Sequence, residues 1–268
     1  LSAGEDAALR GHIQVLNDGR KKPVLIVCHG FKSFKDWGFF PYITERFARA
    51  GYYTVHFNFS CNGVNLTDFD ELHKFANNTY SREQEDLRLL LNELVESRLP
   101  HSEQADLSRI ALLGHSRGGG NAVIFAAGHP EVKTVVTWNG IAHADLFDNA
   151  FKEEITRNGV AYTANTRTKQ NMPINAIFYE DLEANAERFD ITGHWARLTI
   201  PMLAVQGDQD SARLTQGFET LRQAGPRHTY VTIHGAGHTF GAVHPFAGTT
   251  PQLEEAVEAT LQFLKEHG

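Results

Sequence analysis

Cysteine is almost missing from this chain: Cys28 and Cys61 are the only two in 268 residues. Two cysteines allow one bridge at most, and neither belongs to a CxxC pair. A disulfide scaffold and a cysteine-rich zinc site are therefore excluded. Cys28 lies in the apolar run Val24–Cys28 and is expected as a small buried hydrophobe. This usage fits a reducing, cytoplasmic compartment. Positive charge is also short. The formal net charge is −7, and the one basic run, Arg20-Lys21-Lys22, reads as a solvated turn. Nucleic-acid binding needs a basic footprint that displaces counterions from phosphates, so nucleic acid is not expected as a partner. No stretch approaches the ~18 consecutive apolar residues of a membrane-spanning helix. No signal-peptide pattern opens the chain, although it begins with Leu1, which leaves room for a removed leader. There is no HExxH and no other tight ligand spacing, so a metal-dependent hydrolase is not expected.

What is there is an ordinary globular composition, 41% hydrophobic and 21% charged. The length fits one α/β domain with an insertion better than two domains. Residues 12–17 alternate like a strand, and Asn17-Asp18-Gly19 signals a hairpin turn into the apolar strand 23–29. Helix spacing over 36–50 is followed by the β-rich segment 52–58. Residues 60–80 read as a surface loop. Residues 81–98 form a helix, with Ser81 and Gln84 resembling a capping box. The short strand 110–113, the helix 117–128 and the strand 132–138 follow. Strand 199–206, helix 211–224, strand 228–234 and helix 251–267 continue the pattern. Strands alternating with helices imply a mostly parallel sheet covered on both faces, with the 12–29 hairpin as an antiparallel edge. Segment 141–195 breaks the rhythm and is expected to be an inserted cap of short helices. The whole of 1–268 is then one domain.

The strongest local signal is Gly114-His115-Ser116-Arg117-Gly118-Gly119, a G-x-S-x-G pattern directly after an apolar strand and before an apolar helix. That context defines a strained turn that lifts a serine hydroxyl above the sheet edge. Small neighbours are required there, and the helix N-terminus favours developing negative charge. A serine hydroxyl needs a base. Among 14 histidines, His238 follows the last strand and reaches the same edge; His234 and His244 are the alternatives. The base needs an acid to hold its tautomer. Asp208 and Asp210 both follow strand 199–206, and the later one, Asp210, is better aimed at the His238 loop. Asp208 is then expected to stabilise the turn or cap the next helix. An oxyanion hole completes the set: the backbone N–H of Arg117, and that of Phe31 in the loop after strand 23–29. His29 is expected to hold that loop.

His29-Gly30-Phe31, Gly114–Gly119, Gly207–Asp210 and Gly237-His238 together resemble the α/β-hydrolase superfamily. Within it the chain is similar to dienelactone-hydrolase-like and prolyl-oligopeptidase-related esterases, feruloyl (cinnamoyl) esterases included. The resemblance implies the α/β-hydrolase fold. It also implies cofactor-free hydrolysis of a small-molecule ester, with a short or aromatic acyl group, through an acyl-enzyme on Ser116. Two departures stand out. Dienelactone hydrolases proper carry a cysteine where this chain has Ser116. The family also begins with one more antiparallel strand than the sequence displays.

Specificity is expected in the insertion and the edge loops. Phe147, Phe151, Tyr162, Phe178, Tyr179 and Trp195 are candidates for lining a pocket, or else for the insertion's own small core. The same triad would serve a peptidase or an acyltransferase, and the fold also occurs in binding proteins without catalysis. The sequence carries no signature of oligomeric state.

Overall fold

A computed structural model describes residues 1–4 and 7–268. A seven-stranded sheet forms its centre. In chain order the strands are β1 (Arg10–Gln14), β2 (Lys22–Cys28), β3 (Tyr53–Asn58), β4 (Ala105–His115), β5 (Val132–Trp138), β8 (Met202–Gly207) and β9 (Thr229–Ile233). A separate two-stranded ribbon consists of β6 (Val160–Asn165) and β7 (Gln170–Asn175). The spatial order is β1-β3-β2-β4-β5-β8-β9, with every neighbouring pair parallel except β1–β3. This is the α/β-hydrolase architecture read from the sequence.

The antiparallel edge is present, but its partner differs from the expected hairpin. β1 pairs with β3, His12 opposite His56, and β2 lies one strand further in. The reason is burial. Val24 to Cys28 are apolar toward both faces, and such a strand is satisfied only between two parallel neighbours. Leu25 and Val27 pack on one side under α1 (Phe40–Arg49) and α9 (Pro251–His267). Val24 and Ile26 pack on the other under α3 (Tyr80–Val95), α4 (Arg117–Gly128) and α8 (Ala212–Ala224).

Two further differences are local. The loop 60–80 contains a short helix, α2 (Leu72–Ala76). Helix α3 is capped by Thr79, whose hydroxyl accepts the Arg82 N–H at 3.2 Å, not by Ser81. Ser81 instead bonds Asp181, and Gln84 reaches Asn121 in α4. Between β5 and β8 the chain forms α5 (Asn149–Asn158), the β6–β7 ribbon, α6 (Ile177–Ala184) and α7 (Ile191–Arg197). The ribbon was not expected among short helices. Its turn is set by Asn165, whose side chain accepts the N–H groups of Arg167 and Thr168, an Asx-type turn.

Helices α3 and α4 are joined by a buried ion pair. Arg117 Nε donates to Glu83 Oε2 at 2.8 Å, both side chains being under 5% exposed. Asn78 and Asn121 also donate to that carboxylate. Removing one member strands a buried charge. Glu83→Ala is expected to lower unfolding free energy by about 3–5 kcal/mol, measured by urea denaturation. Asp86, one turn further along α3, accepts the Ser60 N–H at 2.7 Å, while its other oxygen is buried without a partner. Burial pushes its carboxyl up to about 7, against the lowering effect of Ser60. The folded pKa thus lies above the unfolded one, so this group's stabilising protonated form is lost as pH rises from about 4 through 7. Asp86→Asn should remove that loss. Unfolding curves at pH 4, 5.5 and 7 should show the wild type falling relative to the variant.

Candidate active site

Because the inner strands are parallel, their carboxyl ends share one edge. The chain order reverses between β2 and β4, where one strand's connection turns left and the other's right. Such a switch point opens a crevice at the carboxyl edge. Ser116 stands there, between β4 and α4, at φ 56° and ψ −121°. A non-glycine residue in this conformation costs roughly 1–3 kcal/mol and persists only when its surroundings over-determine it. They do so here. The Ser116 N–H donates to the Trp138 carbonyl at 2.9 Å, and the Ser116 carbonyl accepts from Gly119 and Ile141. A Cβ on Gly118 would lie 2.3 Å from the Cys28 carbonyl oxygen, so only glycine lets the turn seat against the end of β2.

The loop after β2 crosses the same turn. A Cβ on Gly30 would lie 3.0 Å from Ser116 Cβ. His29 fixes this loop: its Nδ1–H donates to the Gly30 carbonyl and its Nε2 accepts the Phe59 N–H. Burial lowers its pKa to about 4, which keeps it neutral. Among the described residues neither the Phe31 N–H nor the Arg117 N–H has a protein acceptor. Two free donors therefore come from the two segments that touch Ser116.

The turns after β8 and β9 meet beside it. His238 Nδ1 donates to Asp210 Oδ2 at 2.8 Å; the carboxylate side chain is 4% exposed and the imidazole 38%. The carboxylate is shielded while the imidazole remains reachable from solvent. Burial pushes the Asp210 carboxyl up, but the hydrogen bond and charge of His238, with the Ser211 N–H, outweigh it and hold it below its usual range. Asp208 points elsewhere. It accepts from His234 at 2.9 Å and from the Gly235 N–H at 2.8 Å, so it ties the two turns together. It does not cap α8, whose N-cap is Ser211. His244 accepts the Gly38 N–H and stays outside this group. The Ser116 hydroxyl makes no hydrogen bond among the described residues. The His238 ring stands against that of His115, with centroids 4.8 Å apart. Catalytic hydrogen bonds are commonly loose before a substrate is bound.

The candidate pocket residues separate into two sets. Phe147 contacts Phe31, Phe151 and Phe178, at centroid distances of 5.8, 4.0 and 5.6 Å, and so joins the loop after β2. Trp195 does not. It is fully buried, its indole N–H donates to Tyr230 at 2.8 Å, and it packs beside Gly225 and His228. Tyr162 is 55% exposed, and Tyr179 donates to Asp145. Sequence reasoning passed over Glu83, which anchors the Arg117 side chain. Its spacing from Leu87, on the buried stripe of α3, was the available signal. Among the described residues one cluster of metal-type ligands occurs, His12, Asp36 and His56 on the β1–β3 edge. The Lys35 ammonium already bonds both His12 and Asp36 there.

Residues 11–181, more than half of the chain, match the dienelactone hydrolase family. The match includes the Phe31 loop and the Ser116 turn and ends before β8. A Haemophilus influenzae protein named as a candidate esterase/lipase is 25% identical over 165 residues. That match takes in 52% of this chain and 58% of the relative's length. Solved structures share the fold at lower identity. Est1E from Butyrivibrio proteoclasticus with ferulic acid bound is 19% identical with a TM-score of 0.67, covering 97% of this chain and 95% of that one. The α/β hydrolase GrgF from Penicillium sp. sh18 is 17% identical with a TM-score of 0.73, covering 97% and 94%. A dienelactone hydrolase from Anabaena variabilis is 17% identical with a TM-score of 0.64, covering 99% and 94%. With a strained turn at the switch point and a family match spanning that turn, the chain belongs to the dienelactone hydrolase family and carries a serine, Ser116, at its elbow.

Proposed function

We propose that this hydrolase cleaves carboxylic esters by a serine mechanism in which Ser116, His238 and Asp210 act as nucleophile, base and orienting acid. The observation that carries the reading is the 2.8 Å bond from His238 Nδ1 to the buried Asp210, beside a serine held at positive φ. Nδ1–H bonded to a carboxylate leaves Nε2 as the acceptor, the tautomer a general base requires.

Ser116 Oγ attacks the ester carbonyl carbon as its proton passes to His238 Nε2. The oxyanion is held by the N–H groups of Phe31 and Arg117. The carbon–alkoxide bond breaks, and His238 returns the proton to the leaving alcohol. Water then adds to the acyl-enzyme, giving its proton to His238. Collapse restores Ser116 and releases the acid. Asp210 keeps the imidazole oriented and offsets its transient charge.

In this reading the acyl group lies on the side of the Phe31 loop, against a wall formed by the partly buried rings of Phe31 and Phe147, whose centroids are 5.8 Å apart. That wall favours a small or aromatic acyl ester over a polar one. Ferulic acid in the Est1E neighbour is consistent with this choice. In the same reading the chain is one domain, and 141–195 is an insertion that caps the site. Lys32 Nζ, bonded to the Ala164 carbonyl at 2.9 Å, links the oxyanion-side loop to the β6–β7 ribbon and supports it. No helix among the described residues is long and apolar enough to cross a membrane.

Hydrolysis of p-nitrophenyl esters from acetate to long acyl chains, with a feruloyl ester alongside, tests the reading. Ser116→Ala is expected to lower kcat by on the order of 10⁴–10⁶, because triad members act as a unit. Equal rates in both proteins would remove Ser116 as nucleophile. Asp210→Asn should cost about 10⁴ in kcat by losing the tautomer, and Asp208→Asn far less. The reverse ranking would reassign the acid.

A further inference from the structure

The loop that carries His238 has no secondary structure of its own, yet the base must sit within a fraction of an ångström of its working position. Its backbone carbonyl accepts two side-chain hydrogen bonds. His115 Nε2 lies 2.8 Å from the His238 oxygen, and Asn139 Nδ2 also lies 2.8 Å from it. His115 is the residue before Ser116, and Asn139 follows β5 directly. Both are buried, at 6% and 0% exposure. Asn139 uses its other end as well: its Oδ1 accepts the Gly207 N–H at 2.8 Å, at the start of the turn that leads to Asp210. Its own backbone is fixed at φ 46°, with its N–H on the Val205 carbonyl.

We propose that His115 and Asn139 form a clamp that positions the base: two donors from the nucleophile turn and from β5 converge on one carbonyl and hold the His238 loop at a set distance from Ser116. This rests on the triad reading above. The clamp explains three features that packing alone leaves unused. A carbonyl has two acceptor sites, and both are filled here by side chains from the two strands that flank the nucleophile. Asn139 spans the acid turn and the base loop, so it registers the two against each other. His115 offers a single donor. Its Nδ1 is buried without a partner, and burial, with the positive charge of a protonated His238, lowers its pKa to about 3. It stays neutral as its neighbour charges, and its one N–H stays on the carbonyl. A serine turn could accept many residues at position 115, and only some can supply that N–H.

The test separates a hydrogen-bond donor from a space-filling ring. His115→Phe keeps the ring and loses the donor. His115→Gln places an amide N–H near the position of Nε2 and loses the ring. Kinetics on the best p-nitrophenyl ester should show kcat reduced roughly 10–10²-fold in His115→Phe with KM unchanged, and recovered in His115→Gln. Asn139→Asp keeps the acceptor for Gly207 and loses the donor, and should lower kcat in the same way. Thermal unfolding and far-UV circular dichroism confirm that each variant is folded. Wild-type kcat in His115→Phe, or a His115→Gln as slow as His115→Phe, overturns the clamp. Ser116→Ala run in parallel keeps the two failures apart. Hydrolysis surviving in Ser116→Ala removes the triad reading and the clamp with it. Hydrolysis lost in Ser116→Ala but intact in His115→Phe removes the clamp alone.

Discussion

The contact on which this site depends is backbone against backbone: the first turn of α4 pressed onto the carboxyl end of β2. The Gly118 Cα approaches the Cys28 and His29 carbonyls so closely that no side chain fits between them. Ser116 stands next to that contact in its positive-φ conformation, held by the Trp138, Gly119 and Ile141 hydrogen bonds. The same approach brings Gly30 against Ser116, so the loop carrying the Phe31 N–H lies beside the Ser116 turn. One steric fact thus sets both the Ser116 turn and the loop next to it. The strain of roughly 1–3 kcal/mol is borne by a turn packed between the ends of β2 and β5 and the first turn of α4.

The two aspartates after β8 illustrate how environment assigns roles. Both carboxyls sit below their usual range, for different reasons. Asp208 is lowered by hydrogen bonds from His234, Gln209 and the Gly235 N–H at the surface. Asp210 is buried, which alone would raise it, and it is lowered because His238, Ser211 and Gln206 donate to it, His238 most. Each aspartate is thus bonded to its own imidazole, Asp208 to His234 and Asp210 to His238. They differ in shielding: the Asp210 side chain is 4% exposed and that of Asp208 31%, so the Asp210–His238 pair is the less screened of the two.

The parts of the fold legible in the sequence are those fixed by local rules. The Gly114–Gly119 turn, helix α4 and strand β5 follow from glycine placement and uninterrupted apolar runs. The neighbouring-strand choice of β1 was not legible, because Asn17-Asp18-Gly19 makes a turn without making a hairpin. Asp18 uses its carboxylate on Arg20 and Lys22 instead. The β6–β7 ribbon was missed because its pattern is short and its Asx turn at Asn165 is a polar signal inside a polar segment. Among the aromatics, Trp195 was indistinguishable from a pocket residue until α7 was seen packed against α8. The functions of His115 and Asn139 leave no mark in sequence at all, since each depends on strands far apart in the chain.

Arg117 shows why the rigid and the variable parts of this site are not independent. Its N–H follows Ser116 at the start of α4, while its guanidinium is buried and anchored to Glu83. One of its terminal nitrogens, Nη2, has no hydrogen-bond partner among the described residues. The faces of Tyr80, Phe178 and Phe31, at 4.2, 5.6 and 5.9 Å from the guanidinium carbon, surround it instead. Aromatic faces carry negative quadrupole density, so they solvate a cation that has lost water. Phe178 comes from α6, Phe31 from the loop after β2 and Tyr80 from α3. The segment between β5 and β8 therefore packs on the side chain of the residue that follows Ser116. A change at Phe31 or Phe178 must therefore also re-solvate this buried charge. An electron-rich face is favoured at both positions, and the packing of the β5–β8 segment is tied to the stability of the Ser116 turn.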